Sequence, residues 1–371
     1  MDQEVEEVMR KKSYGFWVVV GILFLVQPHP LALAQDVEMK ISREIHRGVL
    51  YYDTENDSDI RNVDNDNDPS LFRFEGLLKK NPKVRLGGLV ELELAANSSA
   101  NIDQLDESVS ADTFKIRKAE LYFQTKHYGT LSFGKGNTAS ENTSEQDISG
   151  TFTAAHASVQ KVGGGLFFTN SAGANSTVRV NQVFNGFDGL DRQSRIRYDL
   201  PVMSGFMLSV SSIDGDQHDL AMRYAKKYNT LQVKAGFSVT DTASNSTLVD
   251  SQVSGSLSVL HNTGFNLTIA GGSQNTKDGD ANRNPYFIYG KVGYQASLNN
   301  LGFTAFAVDF GHYDELRTQR EYGETWGLQV LQKIVSWNTD IYISYRNFRV
   351  DNVALTLDDI NTVLTGVRFQ F

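Results

Sequence analysis

The residues best placed to do chemistry in this chain are charged, and their spacing sorts them into three groups. The first is an early acidic run: Asp53, Glu55, Asp57, Asp59, Asp64, Asp66 and Asp68. Within it Asp64, Asp66 and Asp68, followed by Glu75, match the first, third, fifth and last ligand positions of an EF-hand loop. That makes Asp64, Asp66 and Asp68 weak candidates for Ca²⁺ or Mg²⁺, including cations bridging lipopolysaccharide phosphates. Pro69 stands where such a loop needs glycine, so a solvated acidic outer loop over 54–70 is the competing reading. The second group is basic. Arg85, Arg195, Arg197, Arg223, Lys234, Lys291, Lys333, Arg346 and Arg368 share one face of alternating segments, and Arg117 joins them where the alternation slips near Lys118, as at a β-bulge. The third group, Glu141, Glu145 and Asp147, lies in a long polar segment after Lys135. If that segment folds against the basic face, the opposed charges set up a transverse field that sorts solutes by size, dipole and charge. The alternative is that the basic residues pair with Glu91, Glu93 and Asp309 on the same face, or sit at the rims near lipid head groups.

Other chemistry is poorly supplied. With no cysteine there is no disulfide scaffold, thiol nucleophile or zinc–cysteine site. The histidines are scattered, without an H-E-x-x-H pair, and G-x-S-x-G is absent. Gly134-Lys135-Gly136-Asn137-Thr138-Ala139 fits a dinucleotide pattern in letters only, because no helix follows it. No catalytic residue and no cofactor is therefore expected. Against 35 basic residues stand 44 acidic ones, a formal charge of −9, which argues against nucleic acid as a partner.

These groups need elements to hold them, and the elements read as strands. Segments 231–239, 303–310 and 340–346 alternate apolar and polar residues with a period of two. In the closing stretch Val363, Val367, Phe369 and Phe371 share one face while Gly366, Arg368 and Gln370 share the other. Short turns near 81–82, 127–129, 201–205, 228–229, 261–264, 297–302 and 335–339 alternate with long polar segments, among them 97–112 and one from about 136 to 191. Short turns at one end and long loops at the other are the layout of an outer-membrane β-barrel. Apolar residues would face lipid and the polar set a watery lumen. At the N-terminus, Arg10, Lys11 and Lys12 precede an apolar run at 15–26 and an A-x-A site at 32–34, as in a secretory signal peptide cleaved after Ala34. The run is short of the roughly 20 residues that span a bilayer as a helix. Four acids precede Arg10, and Met9 would make a cleaner start. The expectation is therefore an all-β protein: a leader at 1–34, then an antiparallel transmembrane β-barrel at 35–371. Sixteen strands are expected, with 136–191 folded inward as the third long loop; eighteen are reached if 164–170 and 176–184 form an extra wall hairpin.

At these residues the chain resembles the Gram-negative general porin superfamily. The cues are Val63-Asp64-Asn65-Asp66-Asn67-Asp68, then Ser194-Arg195-Ile196-Arg197-Tyr198-Asp199-Leu200-Pro201 leading to Gly205-Phe206. Thr339-Asp340-Ile341-Tyr342 with Tyr345-Arg346 and the closing Gly366-Val367-Arg368-Phe369-Gln370-Phe371 complete them. The resemblance implies a 16-stranded homotrimeric outer-membrane channel, with Phe371 as the signal read by the barrel-assembly machinery. It also implies a constriction in which Glu141, Glu145 and Asp147 on the third loop face Arg85, Arg117, Arg195 and Arg197 on the wall. The loop lacks the compact acidic-and-glycine pattern of enterobacterial porins and is longer. Three function classes follow: a passive channel for small hydrophilic solutes and ions, a structural or adhesive barrel with a blocked lumen, and a barrel enzyme with its site on the outer rim. Inward arginines lean the channel toward mild anion preference.

Overall fold

A computed structural model describes residues 37–81, 83–106, 114–242, 248–277 and 283–371; the predicted leader at 1–34 lies outside the described residues. Alternation decides which way each strand faces. In Glu321–Ile334, Tyr322, Trp326, Leu328 and Val330 are exposed on the outer surface while Thr325, Gln329 and Leu331 are buried inside. A charge at the bilayer midplane costs about 2–4 kcal/mol, so the apolar set must be the outer one.

The strands in chain order are β1 (Val37–Asp53), β2 (Ser58–Val63), β3 (Ser70–Asn81), β4 (Val84–Leu94), β5 (Phe114–Thr125) and β6 (Gly129–Asn137). A short inner hairpin, β7 (Phe167–Thr169) and β8 (Asn175–Arg179), follows. The wall resumes with β9 (Arg192–Asp199), β10 (Phe206–Ile213), β11 (Gln217–Lys227), β12 (Leu231–Asp241), β13 (Val249–His261) and β14 (Phe265–Thr276). It ends with β15 (Tyr286–Asn299), β16 (Gly302–Asp314), β17 (Glu321–Ile334), β18 (Thr339–Asn352) and β19 (Ile360–Gln370). β2 and β3 both flank β1 and form one spanning strand broken at 64–69. β6 pairs directly with β9, so the hairpin stays out of the wall. The result is a closed 16-stranded antiparallel barrel. Closure is made by β1 against β19, in register from Glu44↔Gln370 to Asp53↔Asn361. Among the described residues the wall sheet therefore has no free edge to expose backbone polar groups to lipid. At the short-turn end, outward aromatic pairs such as Phe206–Tyr224, Phe265–Tyr294 and Phe369–Phe371 mark the membrane interface.

The segment 138–191 lies inside the barrel, and with it comes an apolar core that the polar-inward rule does not anticipate. Val180, Val183, Phe184 and Phe187 of the segment are buried against Phe287, Tyr313, Phe348, Val350, Ile360 and Leu364 on the inner wall. The Phe184 ring meets Phe348 at 5.0 Å and Tyr313 at 5.2 Å between centroids; Phe187 meets Phe287 at 5.3 Å. Inward positions covered by the loop never meet lumen water, so apolar residues are favoured there. Gly323 supplies clearance, since a Cβ on it would sit 2.7 Å from both Val183 and Phe184.

A second difference concerns 54–70. The outer turn is confined to 54–57, closed by Thr54 N–H to the Asp57 carbonyl (2.9 Å). Residues 58–63 continue the wall, and 64–69 turns inward with Asp64, Asn65 and Asn67 buried. The solvated reading holds for the exposed Glu55, Asp57 and Asp59, whereas Asp64, Asp66 and Asp68 are satisfied by backbone N–H groups, a hydroxyl and arginines, as described below.

Deleting the Phe184 ring should cost about 3–5 kcal/mol of loop docking, as for buried Phe→Ala changes generally. Phe184→Ala is expected to open 138–191 to limited proteolysis while the barrel keeps its heat-modifiable migration; an unchanged cleavage pattern would show that the ring cluster does not hold the loop.

Candidate pore constriction

A chain segment crossing the inside of a barrel must find partners for its backbone groups, and here the wall provides them. Arg195 donates to the carbonyls of Asn137 (2.9 Å) and Gly134 (3.2 Å). Arg197 donates to that of Thr138 (2.8 Å), and Arg223 to those of Ala139 (2.7 Å) and Glu141 (2.5 Å). Asp219 accepts from Ser140 N–H at 2.7 Å and its hydroxyl at 2.6 Å. Further along, inward hydroxyls take over. Ser211 Oγ accepts from Ala139 N–H (2.6 Å), Ser256 Oγ from Gln146 N–H (2.8 Å) and Ser258 Oγ from Ile148 N–H (3.0 Å), while Ser256 donates to the Thr143 carbonyl (2.6 Å). Gly236 lets the segment come close: a Cβ there would lie 2.8 Å from the Thr143 oxygen.

The three loop acids are each held by a cation, but not by the four arginines expected to face them. Glu141 pairs with Arg192, and Glu145 with Lys161 of its own loop at 2.9 and 3.2 Å. Asp147 pairs with the predicted Lys291, which lies 2.7 Å away and also donates to the Ala155 carbonyl (2.6 Å). Arg195 pairs with Glu120, and Arg197 with Asp199 at 2.8 Å. Arg117 binds Glu93 (2.6 Å) and Glu91 (3.2 Å). Arg85 is exposed on β4 near the turn that leads from Thr125 into β6, where it bonds Gln124 (3.5 Å). Parity along a strand gives the face a residue occupies, but not its height or which acid is nearest; that is why the four are dispersed. The bulge is where the slip placed it: Glu91 faces Lys118 and Leu92 faces Ile116, leaving Arg117 extra, and both basic side chains turn inward. Of the other inward basics, Arg346 binds Asp309 (2.8 Å), Lys333 binds Asp340 (3.0 Å), and Lys234 lines the opening with no ion-pair partner among the described residues. Arg192, Lys161 and Arg73 were missed. The inward run Ser254, Ser256, Ser258 was a visible signal for the hydroxyl ladder.

Asp64, Asp66 and Asp68 do not converge, which corrects the cation candidate. Asp64 binds Arg47 (2.5 Å) and accepts from the N–H groups of Ala96 (2.7 Å) and Asn97 (2.9 Å). Asp66 accepts from Ala100 N–H (2.9 Å) and the Ser98 hydroxyl, and Asp68 pairs with Arg368. Among the described residues no group of three or more acidic or histidine side chains is arranged to hold a metal ion. Phe371 lies at the β1–β19 seam, with its N–H donating to the Arg43 carbonyl (3.0 Å) and the Arg43 guanidinium 4.6 Å over its ring.

Beside the loop lies a cavity of about 690 Å³ lined by both loop and wall. On one side stand Arg73, Glu91, Glu93, Arg117 and Lys118 of β3–β5; on the other stand Glu145, Asp147, Asp188 and Lys161 of the loop. Burial alone would raise the Glu145 carboxyl, but Lys161, His156 and the Ser158 hydroxyl outweigh it and hold the group down to about 2. Burial likewise pushes Asp147 up, and the Lys291 ammonium with the Ser149 bonds brings it below its ordinary value. Asp188 goes the other way, raised well above the usual carboxylate range by burial and then by the charge on Glu145. His156 is lowered to about 3 by burial and is neutral at pH 7.

The family model described as Gram-negative porin matches residues 30–353. No curated protein matches the chain. Among solved structures, in-vitro folded OmpT, an outer membrane protein of Vibrio cholerae, is 15% identical with a TM-score of 0.59, covering 91% of this chain and 99% of its own. The anion-selective porin from Comamonas acidovorans is 12% identical with a TM-score of 0.61, covering 91% of this chain and all of its own. The outer membrane channel DcaP of Acinetobacter baumannii is 12% identical with a TM-score of 0.54, covering 91% and 98%. Identities this low speak to the fold.

Two outcomes follow from the loop's ion pairs. Lys291→Met leaves Asp147 buried without its cation, a change of the kind that costs about 3–5 kcal/mol, and should release the loop to hydrogen exchange around 145–151. Glu145 and Asp147 have folded values below their unfolded ones, so their contribution is complete above the ordinary carboxylate value of about 4 and is lost as pH falls toward 2. Loop protection measured by pulsed hydrogen exchange should therefore hold from pH 7 to 5 and fail below about 4; loss beginning near pH 6 would contradict the assignment.

Proposed function

Because this chain belongs to the Gram-negative porin family, we propose that it is an outer-membrane channel through which small hydrophilic solutes and ions diffuse passively down their gradients. The observation that carries the reading is the loop 138–191, fixed to one inner wall so that a charge-lined opening remains beside it. Selection is by size and by the charges around that opening: Arg73, Arg117 and Lys118 on the wall, with Glu145 and Asp147 opposite. Eight carboxylates and six cations line it, most of them in pairs, so the net field is small and ion preference weak. No residue is catalytic in this reading. The mature protein starts after Ala34, is inserted through recognition of Phe371 by the barrel-assembly machinery, and works as a homotrimer among lipopolysaccharide and outer-membrane lipids. The wide apolar outer surface supports such a membrane-embedded assembly. A structural or adhesive barrel, or an outer-rim enzyme, would conduct nothing.

Planar-bilayer recording of the refolded chain 35–371 in a KCl gradient tests this. Openings in groups of three and a small reversal potential are expected, and Arg117→Gln with Lys118→Gln should reduce the anion-to-cation permeability ratio by roughly twofold. A folded, heat-modifiable barrel without conductance would overturn the channel.

A further inference from the structure

Most charged groups in the lumen are already paired, while several neutral ones are not. Glu91, Glu93, Glu145 and Asp147 are all in ion pairs. Asn101, Asn137, Asn142 and Gln160 line the same opening, and among the described residues Asn137 Oδ1 and Gln160 Oε1 have no hydrogen-bond partner. Asn137 Oδ1 and Gln160 Oε1 are covered acceptors left unpaired, an arrangement that costs free energy, so the oxygens of these two side chains are not committed to bonds within the protein. Beside them is a flat apolar surface. Phe152 lines the opening, and its ring is stacked on buried His156 with centroids 4.3 Å apart and planes 6° from parallel. The stacking fixes the orientation of Phe152, and His156 is neutral at pH 7, so the platform carries no charge there.

Amide groups that both donate and accept, next to an aromatic face, match a molecule that presents hydroxyls around its edge and C–H groups on its faces. A volume of about 690 Å³ lies within the range of small-molecule sites. We propose that the lumen contains a saccharide subsite, in which Phe152 supports the sugar face while Asn101, Asn137, Asn142 and Gln160 meet its hydroxyls. Lys234 on the same opening, with no ion-pair partner among the described residues, leaves room for a sugar acid but is not required for a neutral sugar. The proposal rests on the channel reading above and names its solute class.

The test is sucrose and maltose titrated onto open channels in planar bilayers, read as conductance reduction and current noise. A polyethylene glycol of the same hydrodynamic size is the control for simple filling of the pore. Saturable, sugar-dependent block that the glycol does not reproduce is expected. Phe152→Ala should raise the half-blocking concentration about tenfold, measured relative to that variant's own open conductance, as for the loss of one aromatic contact, and Phe152→Trp should restore it. Asn142→Ala should weaken block several-fold without shifting the KCl reversal potential. Normal conductance with equal, non-saturating effects of sugar and glycol overturns the subsite and leaves the channel standing. Absent conductance overturns the channel and the subsite with it.

Discussion

A long segment inside a closed barrel has no sheet edge to join, and the rest of this structure depends on how that problem is met. Buried backbone groups must be paired, because a lone one costs roughly 1–3 kcal/mol. The wall answers differently along the path. Arg195, Arg197 and Arg223 donate to carbonyls between Gly134 and Glu141, and Ser211, Ser256 and Ser258 accept N–H groups up to Ile148. Beyond that the segment forms its own hairpin and buries aromatic rings against the inner wall of β15–β19. The barrel thus has two interiors, one dry under the loop and one wet beside it.

From the other side the loop is braced by the break in the second spanning strand. Asn65 donates to the Thr153 carbonyl (2.9 Å) and to the Tyr342 hydroxyl (2.7 Å), which also meets His46 Nε2 (2.7 Å). Ser99 links the next connection to the loop through the Lys161 carbonyl (2.7 Å) and Gly163 N–H (2.8 Å). The acids at 64–68 therefore hold chain to chain, and their charges are already used. Held between wall and brace, the loop can keep one face toward the lumen.

The electrostatic consequence is a lumen of paired charges instead of two opposed sheets of opposite sign. Arg73 and Arg117 are engaged with Glu91 and Glu93 on their own wall, and Glu145 with Lys161 on its own loop. Pairing on each side shortens the reach of the field. Among the described residues it leaves neutral amides, one aromatic ring and the Lys234 ammonium as lumen groups with unmet capacity.

The barrel itself was legible in the sequence because its determinants are local. Period-two alternation, turn residues and a terminal aromatic strand each act over a few neighbours, and lipid outside forces the apolar face outward whatever the rest of the chain does. The inward loop and the bulge beside Lys118 were legible for the same reason, one from its length and the other from a slipped repeat. The partners were not. Whether Arg195 meets Glu120 or a loop acid depends on strand stagger, and whether Leu364 or Phe348 faces water depends on what the loop covers. The aspartates of 64–68 read as a solvated or cation-binding run until 95–100 and Arg368, distant in sequence, came within bonding distance. Short-range pattern set the wall; only the closed three-dimensional arrangement decided which charges are spent on structure and which groups remain for a solute.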